Sequence, residues 1–343
     1  MDICAKVHDS WFFEQYARMA LTEMYSLRDP IVEEENRFVF DGNVSEDTVV
    51  LPSNNRDQIL ATDDSNGMYY GFYYATPRFV PEGQPENVTA VEALTGLDIK
   101  RLIMVEGCLV CMTDWGRQIS YLYDDAEAEV LLEDYALEEL QEYGGELYGT
   151  NYRSLIRLSL DGTVETLWEH AVYGFTVDEN YIYIFDGNTW QVLDRKSGED
   201  LGWIATDIQF TYESGEVCAS GGRLYFTAWN PEEATVSVNS LDMQGNMTQI
   251  GETHTASEVD SRGTASYGEW LFYKVENGRA LVRVNINTGE ETILSLEDNV
   301  AYRGEILVWN DRLAMFTCGE NGALCLACFD LETLEYEGMV YLE

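Results

Sequence analysis

Three histidines, seven cysteines and 62 carboxylates are the groups in this chain that could do chemistry. His8, His170 and His254 lie in separate segments, with no carboxylate or cysteine at ligand spacing. Each reads as a surface or core histidine. Two C-x-x-C runs, Cys108-Leu109-Val110-Cys111 and Cys325-Leu326-Ala327-Cys328, fall inside apolar, strand-like sequence. Residues i and i+3 of a strand point to opposite faces, so neither pair can close on one metal ion. They read as core thiols, and no metal or cofactor is expected. An odd cysteine count without a spacing framework implies reduced thiols. It suits a cytoplasmic setting, with an extracytoplasmic one as the alternative if a signal segment precedes the chain.

Other patterns come close to a known chemistry and stop short. Asp186-Gly187-Asn188-Thr189-Trp190 is one residue shorter than the sialidase Asp-box. Asp63-Asp64-Ser65-Asn66-Gly67 opens like a calcium loop, but its twelfth position is Tyr74 rather than Glu. The chain has no P-loop, no nucleophile elbow and no H-E-x-x-H. A pair of carboxylates in a channel, as in glycoside cleavage, stays open as the alternative activity, of hydrolase or lyase type. No pair is singled out.

Charge excludes more than motifs do. The 343 residues carry 62 acidic and 20 basic side chains, a net charge of −42. Such a surface repels phosphate backbones and anionic headgroups, which argues against nucleic acid and membrane surfaces as partners. No 18-residue apolar run exists, so membrane insertion is not expected. Cations, cationic proteins and neutral molecules remain.

The elements that would position a site come from a repeat. "SYGEWLFYKVENGRALVRVNINTGEETIL", Ser266 to Leu294, reads as three apolar strands joined by turns. Its first turn recurs at Gly67, Gly107, Gly145, Asn180, Gly222, Gly268 and Asp311, at gaps of 35 to 46 residues. A second turn follows in each unit: "ALTGLD", "DDAEAE", "SLDGTV", "RKSGED", "DMQGNM", "NINTGEE" and "DLETLE". Gly, Asn and Asp enter tight turns cheaply, and two markers in step near 40 residues give about four strands per unit. One such sheet cannot bury both its faces alone. The expected fold is therefore an all-β, seven-bladed β-propeller over residues 58–343, with six or eight blades as alternatives. Residues 1–57 read as an N-terminal extension, a helix near Trp11 to Tyr25 and a hairpin at Arg37 to Pro52 packed on the ring.

The units share the form G-x-L-Y, a strand, a Gly turn and a further strand. They resemble the bacterial β-propeller proteins of the DUF5050 class, itself similar to the low-density-lipoprotein-receptor type of propeller. One unit, "VLDRKSGEDLGW", resembles a single repeat of quinone-dependent dehydrogenase propellers. The other units lack the paired Trp, so no cofactor follows from it. The DUF5050 resemblance implies a fold and no catalytic residues.

Four successive units place an aromatic residue at or just after the end of their second strand. These are Trp115, Tyr152, Trp190 and Trp229, with Arg117, Asn151, Arg153, Asn188 and Asn230 beside them. Loops between second and third strands emerge on one face of a propeller, so these residues are expected to form an arc there. The proline-rich stretch Ala75 to Thr89 is expected to border it. Aromatic rings beside amides and guanidinium groups suit a protein, peptide or glycan ligand. The expected function is non-enzymatic binding by a monomer. The competing expectation is that the rings turn inward and wedge between blades.

Overall fold

The computed structural model describes residues 59–341 apart from 65–66, 73–75, 82–88, 114–115, 124–127, 188, 205–216, 231, 256–263, 276–279, 296–301, 310–311 and 319–323. The N-terminal helix and hairpin expected within residues 1–57 lie outside the described residues.

The described residues form seven four-stranded antiparallel sheets, each built from consecutive strands. Blade 1 holds β1 (Ile59–Asp64), β2 (Gly67–Phe72), β3 (Arg78–Pro81) and β4 (Thr89–Ala90). Blade 2 holds β5 (Ile99–Val105), β6 (Cys108–Thr113), β7 (Gln118–Leu122) and β8 (Glu129–Glu133). Blade 3 holds β9 (Glu139–Tyr143), β10 (Glu146–Thr150), β11 (Leu155–Leu158) and β12 (Val164–Trp168). Blade 4 holds β13 (Gly174–Val177), β14 (Tyr181–Phe185), β15 (Trp190–Asp194) and β16 (Asp200–Ile204). Blade 5 holds β17 (Cys218–Ser220), β18 (Arg223–Asn230), β19 (Thr235–Asp242) and β20 (Met247–Thr255). Blade 6 holds β21 (Thr264–Tyr267), β22 (Trp270–Val275), β23 (Ala280–Asn285) and β24 (Glu291–Ser295). Blade 7 holds β25 (Tyr302–Trp309), β26 (Arg312–Cys318), β27 (Leu324–Asp330) and β28 (Tyr336–Tyr341). First strands of neighbouring sheets touch at β1 and β5, β5 and β9, β13 and β17, and β21 and β25. β25 also touches β1, which brings the last sheet back to the first.

The expected turn chemistry is in place. The first hairpin of blade 2 turns through Glu106 and Gly107, and that of blade 5 through Gly221 and Gly222, all with positive φ. Such two-residue turns match the twist of the flanking strands. The second turn is held by the last residue of the third strand. The Asp194 Oδ1 accepts from the Ser197 amide at 2.8 Å, the Asn285 Oδ1 from Thr288 at 3.0 Å and the Asp330 Oδ1 from Thr333 at 2.6 Å. The pattern [Asp/Asn]-x-x-[Ser/Thr] is thus an Asx turn written into three blades.

Blade 1 departs from the expected register. "ALTGLD" is not its hairpin turn. That segment, with a short 3-10 turn at Glu92–Leu94, links blade 1 to blade 2. Ala75 to Thr89 is not one loop either, because Arg78–Pro81 pairs with β2 as β3. Only its first residues lie on the face of the loops between second and third strands. Pro81 and Thr89, where β3 ends and β4 begins, stand at the opposite end of the sheet. Pro81 ends its strand, the place where a missing N–H costs least.

The core lies between blades. Val110, Met112 and Ile119 of blade 2 pack on Leu140, Leu147 and Ile156 of blade 3. Tyr148 and Leu155 meet Phe175, Ile182 and Ile184 at the next seam. β22 and β23 are buried on both faces, as their unbroken apolar runs foretell. Each fully buried side chain of this size contributes roughly 1.5–3 kcal/mol.

Polar links cross the same seams. Asp178 has no exposed surface. Its carboxylate accepts from the Asn180 and Tyr181 amides, the Tyr183 hydroxyl and, across the seam, the Gly222 amide at 3.0 Å. Two arginines on third strands reach the following blade. Arg157 donates to the Arg195 carbonyl at 2.8 Å, and Arg283 to the Leu331 and Glu332 carbonyls at 2.8 and 2.7 Å. Arg195 and Leu331 both directly follow the Asp that holds the turn, so the two staples are equivalent. The Arg283 guanidinium also lies 4.4 Å from the centre of the Trp270 ring.

Cys108, Cys111, Cys218 and Cys328 form no disulfide. Cys111 lies with Leu109 in the cluster shared by blades 1 and 2, while Val110 and Met112 face blade 3. The period of two therefore puts Cys108 on the face opposite Cys111. Among the described residues, no group of three or more His, Cys, Asp or Glu is placed to hold a metal ion.

Candidate binding face

On the face carrying the loops between second and third strands, blades 3 and 4 have four-residue loops of matching design. In blade 3 the loop is Asn151-Tyr152-Arg153-Ser154, and in blade 4 it is Asp186-Gly187-Asn188-Thr189. The Asn151 Oδ1 accepts from the Ser154 amide at 3.0 Å, and the Asp186 Oδ1 from the Thr189 amide at 2.8 Å. Asn230 plays the same part in blade 5, accepting from the Glu232 amide at 3.0 Å. These side chains hold their loops. The near-miss Asp-box at Asp186 is one such turn.

The aligned loops re-sort the expected arc. Tyr152 and Gly187 occupy the same place, and by sequence so does Trp115, which lies outside the described residues with Asn188. Trp190 instead begins β15. It is 2% exposed and packs on Phe185 at a ring separation of 5.2 Å. It takes the inward position between blades 4 and 5, because its place in the strand aims it at the seam. Trp229 belongs to β18, and its side chain lies outside the described residues. Arg117, Arg153 and Asn230 are exposed, while Asn151 is half-buried with its carbonyl oxygen engaged in the turn.

A second tyrosine joins Tyr152. Tyr152 is 46% exposed and Tyr173 is 49% exposed. Tyr173 ends the segment that links blade 3 to blade 4. That segment is latched to the loops on either side. The Val172 amide donates to the Tyr152 carbonyl at 3.1 Å, and the Tyr173 amide to the Phe185 carbonyl at 2.8 Å. The preceding link is latched alike, Leu137 donating to the Gly116 carbonyl at 2.7 Å. Leu137 and Val172 are the buried residues of these latches. The latch sets Tyr173 next to the residue bonded to Tyr152, and these two half-exposed residues define the patch. A Cβ on Gly187 would lie 3.1 Å from the Tyr173 ring, so the small residue leaves that ring its place. Tyr173 escapes a search for aromatics after second strands because it stands just before a first strand. Its signal in the sequence is the repeat of the latch, Glu138 and Tyr173 preceding β9 and β13.

The patch is rimmed by charge. Glu133, Asp134, Glu138 and Glu169 are exposed and Asp186 is half-buried, against exposed Arg117 and Arg153. Glu138 pairs with Lys100 at 3.1 Å. His170 is exposed and meets the Trp168 ring edge-on at 5.2 Å.

Three other ionisable groups are held within the sheets. On the inner strand β9, burial pushes the Glu139 carboxyl above the usual range, against the opposing pull of Gln141 and Arg101. His254 of β20 meets Glu291 of β24 at 2.8 Å across the seam of blades 5 and 6, where both are largely buried. Their separation of 37 positions concealed that pair in the sequence.

No protein-family profile and no curated protein matches the chain. Solved structures do. PorZ, a surface component of the type-IX secretion system of Porphyromonas gingivalis, is similar with a TM-score of 0.60 and 14% identity. The match covers 86% of this chain and 38% of PorZ, so the chain spans well under half of that protein. The computationally designed protein Ika8 is similar with a TM-score of 0.58 and 14% identity, over 85% of this chain and 89% of that one. Dihydro-heme d1 dehydrogenase NirN gives 0.55 and 12%, over 82% and 65%. At such identities the likeness carries the fold alone. Together with the ring of antiparallel sheets, it makes this chain a β-propeller.

Proposed function

We propose that this propeller is a non-enzymatic binding module, taking a protein, peptide or glycan on the face that holds Tyr152 and Tyr173. The observation that carries the reading is the pair of half-exposed rings on one latched patch. One of them sits in a left-handed backbone, φ +64°, where the next blade has glycine. A bulky residue kept in a strained, exposed place fits selection for contact rather than for folding. The DUF5050-like character of the repeats belongs to the same proposal, as does a reducing, cytoplasmic setting for its cysteines. The test is a screen of glycan and peptide libraries with the parent chain and with the double variant Tyr152→Gly, Tyr173→Ala. A ligand captured by the parent and lost by an equally stable variant supports the face. A ligand held equally by both refutes it.

The raised carboxyl of Glu139 favours a second reading, a hydrolase or lyase working in the central channel. A glycosidase needs two carboxylates, and Glu139 supplies one. Glycoside turnover abolished by Glu139→Gln would establish it.

A further inference from the structure

The exposed tyrosines and the charge around them limit what the face can hold. We infer that its occupant is an extended, lysine- or arginine-bearing segment of another protein. This rests on the binding reading above and narrows it.

The chain carries a net charge of −42 and draws cationic partners over a distance set by salt. Around the patch, Glu133, Asp134, Glu138, Glu169 and Asp186 outnumber Arg117, Arg153 and the Lys100 that neutralises Glu138. An acidic or phosphorylated partner meets repulsion from both the whole chain and the rim. Attraction alone has no address, and the rings supply one. Tyr152 and Tyr173 present aromatic surface held in place by latched backbone rather than by loose loop. An ammonium or guanidinium group gains from the face of such a ring, and the aliphatic stem of Lys or Arg gains from its edge. Two rings on adjoining blades favour a segment lying across the seam, with cationic residues spaced along it. Arg117 and Arg153 stand at the rim and would donate to the carbonyls or an occasional carboxylate of that segment.

The probe is a fluorescent twelve-residue peptide of alternating Lys and Ser. Its counterpart with Glu for Lys and a neutral β-linked glucose hexamer are run beside it. Each is titrated against the parent chain and against the double variant Tyr152→Gly, Tyr173→Ala, whose net charge equals the parent's. Thermal unfolding of both proteins first confirms that they are folded. The expected result is that the Lys peptide binds the parent and binds the variant about tenfold more weakly, since each exposed cation–ring contact is worth a factor of roughly 2 to 5. Equal binding of the Lys peptide to both proteins overturns the inference, because attraction by diffuse charge is then all there is. Ring-dependent binding of the Glu peptide or the hexamer, with none for the Lys peptide, overturns the cationic occupant and leaves the binding face standing. Ring independence for all three probes removes this inference, while the face itself is judged by the library screen.

Discussion

Tyr152 and Gly187 hold the same place in the loops of neighbouring blades, and both take a left-handed backbone, with φ of +64° and +97°. Glycine adopts that conformation without strain, whereas an L-residue loses roughly 1–2 kcal/mol. Tyr152→Gly relieves the strain and adds chain entropy to the unfolded state, worth roughly 0.5–1 kcal/mol in the other direction. The expected change is therefore between zero and a gain of about 1 kcal/mol, read from urea unfolding. A loss above 1 kcal/mol would show that the ring supports the fold. Stability kept while binding is lost is the signature expected of a contact residue.

Trp190 is expected to behave in the opposite way. Buried between blades 4 and 5 and packed on Phe185, its truncation to Ala should cost about 3–5 kcal/mol. Trp190→Phe should cost markedly less, because most of the packed volume is kept. If Trp190→Ala melts with the parent, the inward placement is wrong.

The arginine staples should be independent of each other. Arg283→Met removes two charge-assisted hydrogen bonds to the turn of blade 7 and the stacking on Trp270. It should cost about 1–3 kcal/mol. Arg157→Met removes the equivalent link between blades 3 and 4, along with its pairing to Glu165 and Glu146. The double variant should show the sum of the single losses within about 0.5 kcal/mol, because the seams share no residues. Strong coupling between them would mean that the ring transmits strain from seam to seam.

Alkaline pH should loosen the protein in a defined window. Burial pushes the Cys111 thiol up to about 12, and burial with the Glu146 hydrogen bond pushes Tyr148 up to about 12. Burial beside Asp178 raises Tyr183 as well. In the unfolded chain these groups lose their protons near pH 8.5 for Cys and 10 for Tyr. The folded state then binds more protons than the unfolded one, so stability falls as pH rises from about 8.5 towards 12. The urea midpoint should drop between pH 8 and pH 10.5. It should drop less in Cys111→Ala, whatever that variant's stability at pH 8. A flat profile would contradict the buried thiol.

Much of the architecture was legible because turns carry it. The Asp or Asn that ends the third strand in four blades, at Asp194, Asp242, Asn285 and Asp330, is a local signal tied to its own backbone. So are the hairpin turns at Gly107 and Gly222. Blade 1 was misread for the same reason. Its β3 at Arg78–Pro81 is short and bounded by prolines, and an insertion hides the strand that separates its two loops. The binding face was half legible. Tyr152 follows a second strand and announces itself, but Trp190 has the same composition around it and points inward. A difference of three residues in loop position decides between seam and solvent. Tyr173 and the His254–Glu291 pair depend on which segments the ring brings together, and no local pattern records that.

Each described sheet draws its four strands from one unbroken run of chain, and β25 meets β1 as any two neighbours meet. Among the described residues no strand is lent from one blade to another. A blade is then a unit of inheritance as well as of packing. Gene duplication in steps of about 40 residues can insert or remove one without orphaning a strand's hydrogen bonds. The described seams draw on a small set of devices, a turn-holding Asp or Asn in three blades, an arginine reaching forward in two and a latch reaching back from two links. To these devices Tyr152 lends only its backbone carbonyl, so a copied blade can change the side chain there and acquire a new contact while its scaffold stays the same.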